Sequence, residues 1–137
     1  MKSNINKEIS EVIFNIYRKI KKSFQTIKTN DLTMIQLHGL IFIKENKNCQ
    51  LTDVAQVFSI TLPTANSLVE KLVNLKLITK THDKDDQRLI RLKVKKKRGT
   101  LIKKMTQEKK QCFSNLIDKI DNKEKERLLV ILKKIIS

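Results

Sequence analysis

The chain has no Trp, and Phe and Tyr together make up only 4% of its 137 residues. Its core must therefore pack through aliphatic side chains. Gly occurs twice and Pro once, which favours long helices over a loop-rich or all-β fold. Only two cysteines are present, Cys49 and Cys112, far apart and without a C-x-x-C pair. They read as small packed thiols in a reducing compartment, rather than as a disulfide. His38 and His82 have no ligand partners at metal spacing, so no metal is expected. No apolar run approaches ~18 residues and no signal-peptide pattern opens the chain, so no membrane partner is expected. Paired acid and base, nucleophile elbow and phosphate loop are all missing, which argues against an enzyme and against a cofactor. Acid itself is scarce: fourteen Asp and Glu face thirty Lys and Arg, for a formal charge of +16. Such a balance attracts polyanions and weakens with salt. On charge alone nucleic acid ranks first as a partner and an anionic membrane surface second, although a Lys-rich composition accounts for part of the excess.

What is present is helical periodicity. Ile5, Ile9, Val12, Ile13, Ile16, Tyr17, Ile20, Phe24 and Ile27 recur at steps of three and four, marking a helix of about six turns. Asn30 or Asp31 is expected to start a second helix, whose apolar surface of Met34, Ile35, Leu37, His38, Leu40, Ile41 and Ile43 is broad enough to be covered on two sides. Asn46 to Asn48 suit a turn. Further on, Leu101, Ile102, Met105, Phe113, Leu116, Ile117 and Ile120 mark another long helix. Asp121 with Glu124 caps a last one, carrying Leu128, Leu129, Ile131, Leu132, Ile135 and Ile136.

Between these lies the stretch from Leu51 to Val94. Thr52 with Asp53 is expected to cap a short helix with Val54, Ala55, Val57 and Phe58 inward. Residues 59–61 suit a turn. Thr61 is placed to cap a second helix, with Pro63 in its first turn, where a missing N–H costs nothing. Leu62, Ala65, Leu68, Val69, Leu72, Val73 and Leu75 are expected to face the core. Thr64, Asn66, Ser67, Lys71 and Asn74 occupy the other face. These are short hydrogen-bonding groups and a cation, suited to base edges and phosphates, although an ordinary solvated face has the same composition. Leu77 to Thr81 and Leu89 to Val94 read as a two-stranded ribbon with a charged tip, and Gln50 with Leu51 can add a short third strand. Residues i and i+2 of an extended segment share a face, so Asp86 can hold Arg88 and aim it at a narrow minor groove. The plainer reading is a surface ion pair of little stabilising value. Residues 84–110 hold twelve basic and three acidic side chains, Lys95–Arg98 among them. The positive charge is concentrated beside the proposed reading surface.

Helix, helix, ribbon with Asp83-Lys84-Asp85-Asp86-Gln87-Arg88 at its tip, then a long basic helix: this order resembles the MarR family of bacterial transcription regulators. The family's wing typically reads Asp-Pro-x-Asp-x-Arg, and the Asp-x-Arg pair matches Asp86 and Arg88. Lys84 stands where Pro is common, and Val94 to Gly99 replaces the family's Leu-Thr-x-x-Gly helix start. The fold class expected is mainly α (α+β), a winged helix-turn-helix with long N- and C-terminal dimerisation helices. The expected segments are 1–30 and 96–137 for dimerisation and 31–95 for the DNA-binding lobe.

A single copy would leave the terminal stripes wet, so a two-fold homodimer on near-palindromic double-stranded DNA is expected. Thr64, Asn66, Ser67 and Lys71 are the major-groove candidates, and Thr61 and Pro63 place the helix N-terminus, whose free N–H groups can meet a phosphate. Arg88, held by Asp86, is the minor-groove candidate. Lys84 and Arg91 are assigned to phosphates, with Lys95 to Lys97 as further candidates for them. The resemblance also implies a cytoplasmic regulator, expected to be a repressor, released by a small anionic or aromatic effector in a cleft lined by Tyr17, Met34 and His38. Plain core packing explains those three residues as well. The competing function is a charge-driven, non-specific nucleic-acid-binding or architectural protein.

Overall fold

Leu37, Leu40, Leu72, Leu77, Ile78, Leu92, Ile102 and Met105 are all but sealed from solvent. A computed structural model describes residues 2–25 and 32–137, with side chains from residue 4 onward. In order, the elements are α1 (Lys2–Gln25), α2 (Met34–Glu45), β1 (Cys49–Gln50), α3 (Leu51–Val57), α4 (Leu62–Asn74), β2 (Ile78–His82), β3 (Ile90–Val94), a 3-10 turn (Lys96–Arg98), α5 (Gly99–Ile117) and α6 (Asn122–Ile136). They cluster into two units, Lys28–Thr106 and Met1–Ile27 with Gln107–Ser137. The boundary therefore falls within α5.

In the unit Lys28–Thr106, α2 is the central helix. Its start is set by Thr33: the Thr33 Oγ1 accepts from the Gln36 N–H at 3.3 Å, and Gln36 Oε1 accepts from the Thr33 N–H at 3.0 Å. Asn30 and Asp31, expected at this start, lie outside the described residues. Leu37, Gly39, Leu40, Ile41 and Ile43 of α2 are buried. A Cβ on Gly39 would stand 2.8 Å from Leu68 Cδ2, so the missing side chain is what lets α4 cross α2 closely.

The α3 start differs from expectation. Gln50 is the cap residue and Asp53, three positions on, accepts its N–H at 2.8 Å. Thr52 lies inside the first turn, exposed. Val57, expected inward, is 54% exposed, because α3 ends there and Leu51 and Val54 already fill its inward side. Phe58 packs edge-on against Phe42, ring centroids 6.1 Å apart. The turn follows with Ser59 at φ 52°. The Ser59 N–H donates to Gln56 and the Ile60 N–H to Ala55, the double closure that ends helices through a left-handed residue. The same closure ends α4, with Lys76 at φ 60°, its N–H donating to Val73 and the Leu77 N–H donating to Leu72.

On α4, Ala65, Leu68, Val69 and Leu72 are buried. Leu62 corrects the expectation at 48% exposed: it is the first helical residue and stands beyond the core, which begins at Ala65. The sheet has the order β1-β3-β2, all antiparallel. Leu92 pairs with Lys80 on one side and with Cys49 on the other. The third strand is thus Cys49–Gln50, and Leu51 opens α3. The 3-10 turn leads into α5, with Arg98 Nε donating to the Lys76 carbonyl at 3.3 Å. Ile102 and Met105 on its first turns are buried.

The other unit is different in kind. Ile5, Ile9, Val12, Ile13, Phe14, Ile16 and Tyr17 of α1 are all exposed, whereas Phe24 is buried. Ile27 lies outside the described residues. The α5 helix ends at Ile117, so Ile120 falls in the following turn. The expected α6 cap is present: Asp121 Oδ1 accepts from the Glu124 N–H at 2.9 Å and Glu124 Oε1 from the Asp121 N–H at 3.1 Å. No residue of α6 is buried. No helix among the described residues is long and apolar enough to cross a membrane.

Candidate nucleic-acid interface

The outward face of α4 begins at its cap. Thr61 has extended backbone, and its Oγ1 accepts from the Thr64 N–H at 3.3 Å while donating to Thr64 Oγ1 at 2.8 Å. Pro63 occupies the first turn, where no intrahelical N–H bond is lost. Thr61, Pro63, Thr64 and Ser67 are exposed and Lys71 is half-buried. Ser67 donates to the Pro63 carbonyl at 3.1 Å, so its hydroxyl oxygen still offers an acceptor outward. Asn66 lies at the flank of this face. Its Oδ1 accepts from Lys80 Nζ at 2.8 Å, and the same ammonium pairs with Glu70 at 2.8 Å. Lys80 therefore clamps α4 to β2. This contact spans fourteen residues and cannot be read from local periodicity.

The wing tip is held by carboxylates. Asp83 Oδ2 accepts the N–H groups of Asp85 and Asp86 at 3.2 and 3.1 Å. Its other oxygen accepts from Arg91 Nε at 3.2 Å, and Arg91 Nη1 donates to the Asn48 carbonyl at 3.2 Å. Arg91, expected at a phosphate, thus has two donors committed within the protein. It ties the tip to the residue just before β1. Asp86 receives Arg88 through both Nε, at 3.1 Å, and Nη2, at 3.2 Å, and also accepts the Arg88 N–H at 3.0 Å. The Arg88 side chain is nevertheless 91% exposed. A fork held on one edge is aimed outward on the other. Lys84 is exposed at the same tip.

These pairs hold both carboxyls below the usual carboxylate range. The first cause for Asp83 is the Arg91 hydrogen bond, and for Asp86 the Arg88 hydrogen bond; backbone N–H groups reinforce each. Both cysteines are free thiols. Burial, more than any charge, pushes their ionisation up, with Asp53 adding to it at Cys49 and Glu108 at Cys112. Neither thiol is primed as a thiolate.

Of the residues expected in an effector cleft, Met34 and His38 are half-buried and one turn apart on α2, while Tyr17 is exposed on α1, in the other unit. What sequence reasoning missed is the bracing layer of Lys80, Asp83 and Arg91's second role. Only the i, i+2 spacing of Asp86 and Arg88 left a local signal.

Residues 30–89 match the family model described as the MarR family. No curated protein matches the chain by sequence. Solved structures do match by shape. A Staphylococcus aureus MepR–DNA complex aligns with a TM-score of 0.81 at 22% identity, covering 93% of this chain and 95% of that one. A MarR variant from Escherichia coli complexed with operator DNA gives 0.81 at 17%, covering 95% and 94%. Bordetella bronchiseptica BpsR, whose DNA binding is described as regulated by 6-hydroxynicotinic acid, gives 0.80 at 22%, covering 95% and 99%. At these identities the likeness carries the fold.

Proposed function

We propose that this chain, whose residues 30–89 match the MarR family model, is a sequence-specific double-stranded-DNA-binding transcription regulator of that family, a repressor that works as a homodimer. The observation that carries the proposal is Arg88, almost fully exposed yet gripped along one edge by Asp86. A solvated arginine gains little stability from such a pair; a groove-reading arginine gains a direction.

In this reading α4 enters the major groove. Thr64, Ser67 and Lys71 meet base edges and phosphates, and Thr61 and Pro63 fix the helix N-terminus, whose free N–H groups favour a phosphate. Asn66, with its oxygen occupied by Lys80, offers its amide donors. Arg88 enters the adjacent minor groove and Lys84 binds a phosphate. Arg91 sets the wing's attitude through Asp83 and Asn48.

Segments 1–30 and 96–137 are assigned to dimerisation, and 31–95 to reading. The bare apolar stripes of α1 and α6 support this, since a second copy would cover them. Two reading helices then meet successive major grooves about one helical turn apart on a near-palindromic operator. A small anionic or aromatic effector, for which Tyr17, Met34 and His38 are the candidate residues, would act by changing that separation; BpsR is a neighbour whose DNA binding is described as regulated by a small molecule. The place of action is the bacterial cytoplasm, at the nucleoid when bound.

Selection of bound duplexes from a random pool tests this. We expect a near-palindromic motif that binds at least about a hundredfold tighter than its scrambled version. Equal affinity for scrambled duplexes would instead mean binding by charge alone.

A further inference from the structure

A cavity of ≈ 350 Å³ opens at the base of the wing, lined by Ile43, Lys44, Lys47, Asn48, Lys93, Val94 and Lys96. All of these lie in the unit Lys28–Thr106. The volume is at the small end of ligand pockets. Its floor is apolar: Ile43 is 1% exposed and Val94 is half-buried. Four lysines and no acidic residue line the cavity. None of the four lysines joins an ion pair among the described residues. Like charges gathered over a partly apolar hollow repel one another, and an anion seated among them relieves the repulsion.

We propose that this cavity binds a small organic dianion with a short apolar body, such as a phosphate monoester, and that its occupancy adjusts the wing. The apolar floor and the concave shape suit such a molecule. They do not suit the convex, hydrated backbone of a duplex. The route to the wing is Asn48. This residue lines the cavity, holds a left-handed φ of 59°, and accepts Arg91 through its carbonyl. Arg91 in turn grips Asp83, whose other oxygen caps the tip that carries Arg88. A ligand drawn in by Lys47 and Lys93 therefore presses on the residue that anchors the wing brace. None of the effector candidates Tyr17, Met34 and His38 lines this site. Its effect on DNA, though not the binding itself, rests on the regulator proposal above.

Titration of the isotope-labelled full chain with n-butyl phosphate, at constant ionic strength, tests the binding by amide chemical shifts. Saturable shifts are expected across residues 43–48 and 93–96, with weaker binding of inorganic phosphate, which lacks the apolar body. The Lys47→Gln/Lys93→Gln double variant should lose at least tenfold in affinity. No saturation, an equal response to sulfate, or an undiminished response in the variant would overturn the site. So would a variant that only weakens duplex binding while the wild type ignores the probe; these lysines would then be backbone ligands of DNA. A second arm measures duplex affinity with and without the probe. A loss of threefold or more in the wild type, absent in the variant, is expected; no loss would overturn the coupling. A protein that bound no duplex at all would contradict the regulator proposal and leave the shift titration decisive for the site.

Discussion

Helices α2 and α6 are similar in length, twelve and fifteen residues, and both are rich in Leu and Ile. Yet five residues of α2 are buried and none of α6 is. Val130, Ile135 and Ile136 are 68%, 69% and 82% exposed. Apolar content is thus a demand for cover, and one chain meets that demand mainly in the winged lobe. The contrast is the physical case for a second copy: an uncovered stripe of this breadth on both α1 and α6 is far larger than the scattered apolar residues a lone protein shows.

The largest effect should come from cutting the covered side. Leu37→Ala removes a sealed side chain and should cost about 2–5 kcal/mol in denaturant unfolding, whereas Val130→Ala should leave the lobe's own unfolding unchanged. An equal cost at both sites would erase the distinction between the two regions. Next, Ile131→Asp with Ile135→Asp places charge in the bare stripe. If α6 is covered only by another copy, sedimentation should show the dimer dissociation constant raised at least about tenfold, near 1.4 kcal/mol or more. The circular dichroism of the lobe should stay intact.

Arg88→Ala sharpens the comparison from the other end, because it removes a side chain that nothing in the fold needs. It should weaken duplex binding about tenfold and leave the thermal midpoint in place. Unchanged affinity at moderate salt would take Arg88 out of the interface. The smallest effect is that of pH. Asp83 and Asp86 have folded-state ionisation below the usual carboxylate range. The order they give the tip is therefore fully present above that range and is lost as pH falls through the lowered values. The side-chain carboxyl carbon signals of Asp83 and Asp86 should titrate below the usual carboxylate range in a pH series followed by NMR. Titration of either within or above that range would contradict the bracing.

The fold is legible in the sequence where the physics is local. The Thr61 cap, the Pro63 position, the Asp121–Glu124 box and the period-two face of β3 each lie within a few residues. The Asp86–Arg88 pair belongs with them. Legibility failed at element ends and at long range. Leu62 and Val57 keep the apolar period yet stand past the edge of the core, and periodicity does not say where a core stops. Thr52 is a good cap by residue type, but Gln50 pairs with β3 through β1 and fixes the helix start two residues earlier than side-chain preference suggests. Lys80 and Arg91 bond across fourteen and forty-three residues, contacts that only the folded ribbon creates. Gly39 showed no pattern at all; its role is the space it leaves for Leu68.

The central claim, two copies presenting two α4 helices and two Arg88 wings at a fixed separation, is tested most directly by the mass of the protein–DNA complex in solution. The account predicts two chains on one duplex containing paired half-sites about one helical turn apart, with affinity falling when the spacing is changed by about half a turn. A complex of one chain per duplex, indifferent to that spacing, would contradict it.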